Sequence, residues 1–189
     1  MRSRVGGRWG GGVVAWIGVV ADTHRAPGRE ADGLPPALLD GLDGTVAILH
    51  AGDIAAAWVL EALGRIAPVH AVGGNADAPG LHLPGRLLLT LRGVRVGLTH
   101  GHLGVGATTE ERARRAFPEA PRVVVFGHSH RPLVRAVPGG PLLLNPGSPT
   151  EPRGRPPTFA LLQVPADPAS GEPTARLVTL PEDHRAGAR

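Results

Sequence analysis

The sequence predicts an α/β layered fold, and three observations carry the prediction. Strand-length apolar runs at Val13–Ala21, Thr45–His50 and Pro68–Val72 are separated by segments with helical spacing, on short connections. These runs deliver Asp, His or Asn into glycine-rich turns, and in α/β sheets ligands gather at the carboxyl ends of strands. After Phe126 the helical patterns stop, and short apolar runs follow one another between Pro/Gly turns.

Residues 1–12 are Arg- and Gly-rich without periodicity and read as a disordered lead. Together with the run to Ala21 they imitate a signal peptide cut before Asp22, with Val19 and Ala21 as the small residues. That reading is set aside because the run is also the strand that presents Asp22 and His24. It is too short for a membrane span of ~20 residues. Pro35 opens a short helix, expected to break at Gly41. Thr45–His50 is the second strand and ends in Ala51-Gly52-Asp53. Ile54–Ile66 carries the clearest helical spacing, and Pro68–Val72 is a third strand that runs into Gly73-Gly74-Asn75-Ala76-Asp77.

Arg86–Leu91 and Val94–Thr99 bracket Arg92-Gly93 as a hairpin, the second strand ending at His100. Thr108 or Thr109 caps a helix to Phe117, with Glu110 and Glu111 in its first turn. Arg122–Phe126 is the strand before Gly127-His128-Ser129-His130. Leu133–Val137, Leu142–Leu144, Phe159–Val164 and Ala175–Leu180 read as antiparallel strands. No internal repeat interrupts the pattern, so one domain is expected over residues 13–180, with a polar tail at 181–189.

A chain of 189 residues, 42% hydrophobic and 19% charged, is long enough to bury a core as a single domain. Aromatics make up only 3% and Tyr is absent, so that core must come from Val, Leu, Ile and Ala. The lack of Cys excludes disulfides, thiolate metal sites and cysteine nucleophiles. A pI near 11.2 invites a nucleic-acid partner, but the net charge is only +4. Every basic residue is Arg, which does not titrate in an accessible range and inflates the pI. The densest arginines, Arg112, Arg114 and Arg115, read as the wet face of a helix. Neither a nucleic-acid nor a membrane partner is expected, the chain is placed in the cytoplasm, and a homo-oligomer is left open.

His128 and His130 stand one residue apart at a strand end, where i and i+2 face one side and are expected to converge on one point. Imidazole is the commonest protein metal ligand. With Asp22, His24, Asp53, Asn75 and His100 they form a set of seven oxygen and nitrogen donors, suited to two divalent ions sharing one carboxylate. Imidazole with carboxylate favours Mn, Fe, Zn or Ni over Ca or Mg, and the lack of thiolate disfavours a closed structural zinc. A single Asp-Gly turn is usually no more than a turn. Recurrence at successive strand ends is what marks this set.

The ordered motifs Asp22-Thr23-His24, Gly52-Asp53, Gly74-Asn75-Ala76-Asp77, Thr99-His100-Gly101-His102 and Gly127-His128-Ser129-His130 resemble those of the calcineurin-like metallophosphoesterases. Within that superfamily they are most similar to the small YfcE-type phosphodiesterases. Asn145-Pro146-Gly147-Ser148 followed by Pro152-Arg153 also matches, and the resemblance spans residues 17–164. It implies a four-layer α/β/β/α sandwich. It also implies a dinuclear centre, Mn²⁺ first with Ni²⁺, Fe²⁺ or Zn²⁺ as alternatives. Asp22, His24 and His130 would hold one ion, Asn75, His100 and His128 the other, and Asp53 would bridge. The implied activity is hydrolysis of a small phosphodiester by a metal-bridging hydroxide.

Other roles stay open at this point. Arg25 stands where glycine is usual and either clamps a phosphate or lies on the rim. Ala76 replaces the histidine that many superfamily members use to protonate the leaving group, so another donor or a good leaving group is needed. His102 is the nearest candidate catalytic residue, with orientation of His100 or a phosphate contact as alternatives. Asp77 either supports the ligands from behind or stabilises its turn. Arg25, Asn75 and His102 are the candidate substrate contacts, His50 is structural support, and Ser148 either packs behind the ligands or touches substrate. A phosphomonoesterase with the same site is the alternative activity, and a non-catalytic interaction scaffold the alternative class.

Overall fold

The structure is a computed structural model that describes residues 14–30, 33–165, 167, 169 and 171–181. The expected disordered lead at 1–12 and the tail beyond Pro181 lie outside the described residues. In chain order the elements are β1 (Ala15–Val20), α1 (Pro36–Leu42), β2 (Ala47–His50), α2 (Ala57–Gly64), β3 (Val69–Ala71), β4 (Arg86–Leu91) and β5 (Val94–Thr99). They continue with α3 (Thr109–Arg115), β6 (Val123–Val125), β7 (Leu133–Ala136), β8 (Leu142–Asn145), β9 (Thr158–Val164) and β10 (Thr174–Thr179).

The strands form two five-stranded sheets, ordered β10-β9-β1-β2-β3 and β4-β5-β6-β8-β7. Side chains alternate across a strand, so each central strand feeds two cores. Ile17, Val19, Leu49, Val96, Leu98, Val125 and Leu162 fill the space between the sheets. On the far side of the first sheet, Ile48 and Phe159 pack with Leu38 and Leu42 of α1 and with Val59 and Leu63 of α2. On the far side of the second, Val124 and Leu143 pack with Ala113 of α3 and Phe117. The order of layers is therefore helix, sheet, sheet, helix. Burying each such aliphatic side chain stabilises by about 1.5–3 kcal/mol before entropy is counted.

Three details differ from the sequence reading. Gly41 does not break α1, which continues through it to Leu42. A Cβ there would lie 2.5 Å from Phe159 Cζ, so the glycine lets the helix approach the sheet. α2 starts at Ala57 rather than Ile54, because Ile54 and Ala55 give their N–H groups to Asp77 Oδ1 and Ala55 has φ 72°. The late strands are not all antiparallel: β8 hairpins with β7 but pairs parallel with β6. The hairpin and the third helix agree with the reading, and Thr108 Oγ1 accepts the Glu111 N–H as N-cap.

Candidate metal centre

Parallel pairing of β1 with β2 and β3, and of β5 with β6 and β8, brings the carboxyl ends of six strands to one side. The turns that leave them are strained. Asp22, His24, Asp53, His128 and His130 have φ of 54°, 46°, 54°, 67° and 53°, in the left-handed region that side chains other than glycine avoid. Each such residue costs on the order of 1–3 kcal/mol and persists only where the surroundings over-determine it.

Those surroundings are hydrogen bonds from distant parts of the chain. Asp22 N–H donates to the Gly52 carbonyl at 3.0 Å, and His24 N–H to the Asp53 carbonyl at 3.0 Å. Ser148 Oγ donates to the Asp22 carbonyl at 2.7 Å, and Thr150 Oγ1 to the Thr23 carbonyl at 2.6 Å. The His128 N–H donates to Asp22 Oδ1 at 3.0 Å. Asn145, fully buried, donates from Nδ2 to the Gly127 carbonyl at 2.9 Å and to Ser129 Oγ at 3.1 Å, and accepts the Gly147 N–H at 2.9 Å. Asp77 accepts Gly74 N–H on one oxygen and Ile54 and Ala55 N–H on the other, tying the loops after β2 and β3 together.

Two groups of donors result, each within 4.8 Å: Asp22, His24 and His130, and Asp53, His100 and His128. Asp53 Oδ2 lies between them, 3.4 Å from His24 Nε2 and 3.3 Å from His100 Nε2. His24 and His130 face each other with their Nε2 atoms 3.1 Å apart, and Asn75 Oδ1 lies 3.2 Å from His100 Nε2. A carbonyl can only accept, so His100 Nδ1 donates to Ala51 and His130 Nδ1 donates to Glu151. In the neutral rings this leaves the Nε2 lone pairs facing the cluster, the arrangement that orients a ligating histidine.

Burial and mutual charge shift the titration of several of these groups in the metal-free cluster. Burial pushes the Asp22 carboxyl up to about 7, against the pull of His100 and with added repulsion from Asp53. Burial also opposes ionisation of Asp53, but hydrogen bonding and charge from His100 and the Ala76 N–H outweigh it and bring that carboxyl down to about 2. Burial lowers His100, yet Asp53 and Asp22 outweigh it and raise that imidazole above its usual range. His102, His128 and His130 are held below the usual imidazole range, chiefly by burial. Asp22 Oδ2 is buried without a hydrogen-bond partner. An orphaned carboxylate oxygen beside converging imidazole lone pairs and a second carboxylate fits divalent ions of the Mn, Fe, Ni or Zn type.

Six of the seven expected donors thus fall in the two groups, and Asn75 reaches the second through His100. The expectation that His128 and His130 meet at one point is overturned. β6 ends at Val125, so strand alternation no longer applies, and the two left-handed residues send one ring to each group. His102 stands beside these rings, 5.1 Å from His100 and 6.2 Å from His128 between centroids, with its Nδ1 buried without a partner. Asp77 spends its carboxylate on backbone N–H groups, the turn-stabilising alternative, and Ser148 is buried against Asp22 rather than open to a ligand. His50 is fully buried, held down to about 3 by burial, with Nε2 3.1 Å from Thr23 Oγ1. Arg25 lines a cavity together with Pro149, Thr150 and Arg155. The Asn145-Pro146-Gly147-Ser148 turn, expected to pack behind the ligands, does so chiefly through Asn145, which holds the Gly127–Ser129 turn. The influence of Arg153 on Asp22 and His130 was missed, with no signal beyond its place after that stretch.

Gly74 shows how tightly the loops close on the site. A Cβ there would lie 2.2 Å from Asp53 Oδ1 and 2.4 Å from Asp53 N, so no other residue fits. Among the described residues no helix is long and apolar enough to cross a membrane.

A model of the calcineurin-like phosphoesterase superfamily domain matches residues 16–167. A probable metallophosphoesterase from Methanothermobacter thermautotrophicus is 36% identical over 149 residues, covering 78% of this chain and 85% of that protein. Among solved structures, one described as a novel archaeal phosphodiesterase superposes with TM-score 0.66 at 20% identity, covering 87% of this chain and 99% of that one. Vps29 from Entamoeba histolytica, complexed with zinc, superposes with TM-score 0.66 at 23% identity, covering 87% and 98%. At those identities the superpositions speak for the fold, while the sequence matches run through the loops that carry Asp22 to His130. The chain belongs to the calcineurin-like phosphoesterase superfamily.

Proposed function

We propose that this chain is a dinuclear, metal-dependent phosphodiesterase acting on small phosphate diesters in the cytoplasm. One observation carries the reading: Asp53 Oδ2 stands within 3.4 Å of a histidine from each donor group, where a carboxylate shared by two ions belongs. Asp22, His24 and His130 would hold one ion, Asn75, His100 and His128 the other. Mn²⁺ is the first expectation, and the zinc of the Vps29 relative supports a divalent ion of that class on this fold. Divalent ions bound there supply Lewis acidity toward the phosphoryl oxygens and lower the pKa of a water molecule.

The protein's own residues supply position. His100 and His130 are held by backbone carbonyls with Nε2 forward, and Asp77 and Asn145 hold the loops that carry the rest. Hydrolysis joins the water oxygen to phosphorus and releases one ester oxygen, which needs a proton unless it is a good leaving group. Ala76 cannot supply that proton. In the metal-free protein His102 is held below the usual imidazole range by burial and by His100, which suits a hydrogen-bond partner better than an acid. The reading therefore favours aryl or other weakly basic leaving groups, and the archaeal fold relative described as a phosphodiesterase supports the diester.

The test is hydrolysis of bis-p-nitrophenyl phosphate beside p-nitrophenyl phosphate, on stripped protein with Mn²⁺, Ni²⁺, Zn²⁺ or Mg²⁺ restored. Metal-dependent turnover with the diester preferred is the expected result. Preference for the monoester would replace the reading with a phosphomonoesterase on the same site. Two bound ions with no turnover would replace it with an interaction scaffold, since fold alone does not fix function.

A further inference from the structure

Between Arg25 and the loop that runs from Pro149 to Pro157 lies a cavity of about 460 Å³, within the range of small-molecule sites. Its walls include Pro149, Pro156, Pro157 and Leu180, and its charged members are Arg25 and Arg155. No carboxylate is among the described lining residues. The chain itself places it at the site. Arg25 directly follows His24, and the Pro149–Pro152 segment carries Glu151, whose carbonyl holds His130. β10 runs antiparallel to β9, which runs antiparallel to β1, so Leu180 leaves its sheet on the same side as Asp22.

The lining states what it would bind. Rigid proline faces and a leucine suit a flat, weakly polar ring, while two guanidinium groups suit an anion. Arg25 Nε has no hydrogen-bond partner among the described residues. A second cavity, about 320 Å³ between α3 and β7, differs in this respect, since its Arg135 is already paired with Glu110.

We infer that this cavity receives the substrate's ester arm beyond the scissile phosphate, and that the arm is nucleotide-like: a flat ring system with a second anionic group. The inference rests on the proposed phosphodiesterase site and supplies its substrate class.

Titration calorimetry of the protein, as purified and after Mn²⁺ loading, tests it with methyl phosphate, adenosine 5′-phosphate and adenosine 3′,5′-bisphosphate. Affinity should rise ~10-fold when the ring is added and ~10-fold again with the second phosphate, the size of one charge-assisted contact. Arg155→Ala, an exposed position, should erase the second step while leaving methyl phosphate binding within about twofold. Arg25→Gln should erase it as well. Equal affinity for the three ligands, or a second step that survives in both variants, overturns the inference. Binding needs no turnover, so the affinity series decides the cavity even if neither nitrophenyl ester is hydrolysed. Failure of the phosphodiesterase reading is thereby distinguishable from failure of this one.

Discussion

Among the turns that carry side chains into the left-handed region, two do so for different reasons. At Arg92-Gly93 the φ values are 48° and 77°, and the turn joins β4 to β5 across an unbroken antiparallel register. That conformation matches the twist of the two strands it connects, so everything that stabilises it lies within a few residues. At Gly127–His130 the backbone is bent just as sharply, but its restraints come from Asp22, 106 residues from His128 in sequence, and from Asn145. One turn is locally determined; the other is held from outside. Strain that depends on distant bonds persists only where the rest of the fold insists on it, and here it presents two imidazoles to two donor groups.

The sharpest way to break the second region is through the residue both donor groups share. Asp53→Ala removes the carboxylate between His24 and His100. Both ions should be lost from the metal content measured by mass spectrometry. Hydrolysis of bis-p-nitrophenyl phosphate should fall roughly a thousandfold or more, about 4 kcal/mol of transition-state stabilisation. The hairpin has no part in this, and the circular dichroism of the variant should stay that of the folded protein. A variant that kept two ions and full rate would sink the assignment of the site.

The next effect concerns pH in the metal-free protein. Asp22 is raised from 3.8 to about 7, so the folded chain keeps a proton that the unfolded chain releases. Its contribution is fully present below pH 3.8 and is lost as pH rises through about 7. Asp22→Asn cannot titrate. The stability of wild type minus that of the variant should therefore fall by about 3 kcal/mol between roughly pH 4 and pH 7. Urea unfolding in chelator across that range measures it, and parallel profiles would show that burial does not raise the carboxyl. Arg92→Asn, in the hairpin, should give a profile parallel to wild type.

The same contrast explains what was legible in the sequence. The hairpin, the helix cap and the strand runs rest on neighbours in the chain; the hairpin and strands were read where the structure places them, and the cap falls on the first of the two threonines offered, Thr108. The donors were readable because their types recur at strand ends. Their partition was not readable from alternation, because His128 and His130 lie beyond the strand in a conformation that only remote contacts impose. The start of α2 failed for the same reason: Ile54 fits the helical spacing, yet its N–H goes to Asp77. Gly41 misled because the contact that requires it, with Phe159, crosses more than half the chain.

Asn145 sharpens the distinction at lower energy. Asn145→Ala strips the Gly127 carbonyl, Ser129 Oγ and Gly147 N–H of their buried partner. A cost of about 2 kcal/mol in urea unfolding is expected, with a 10–100-fold loss of metal affinity, because the turn that aims His128 and His130 is loosened. Loss of stability with unchanged metal affinity would mean that the turn is held by other means, and that Asn145 serves packing alone.

The smallest effect tests the other side of the comparison. Asn tolerates the left-handed region better than Arg and is favoured in the first position of such hairpin turns. Arg92→Asn should therefore raise stability by about 0.5 kcal/mol, and leave metal content and turnover unchanged. The same relief of backbone strain at His128 or His130 is unavailable, because any residue that relaxes the turn also removes an imidazole from a donor group. A destabilised Arg92→Asn variant would show that the hairpin, too, depends on contacts beyond its own strands. If the gain appears, left-handed residues in this fold divide into those that yield stability when relaxed and those whose strain is inseparable from the site.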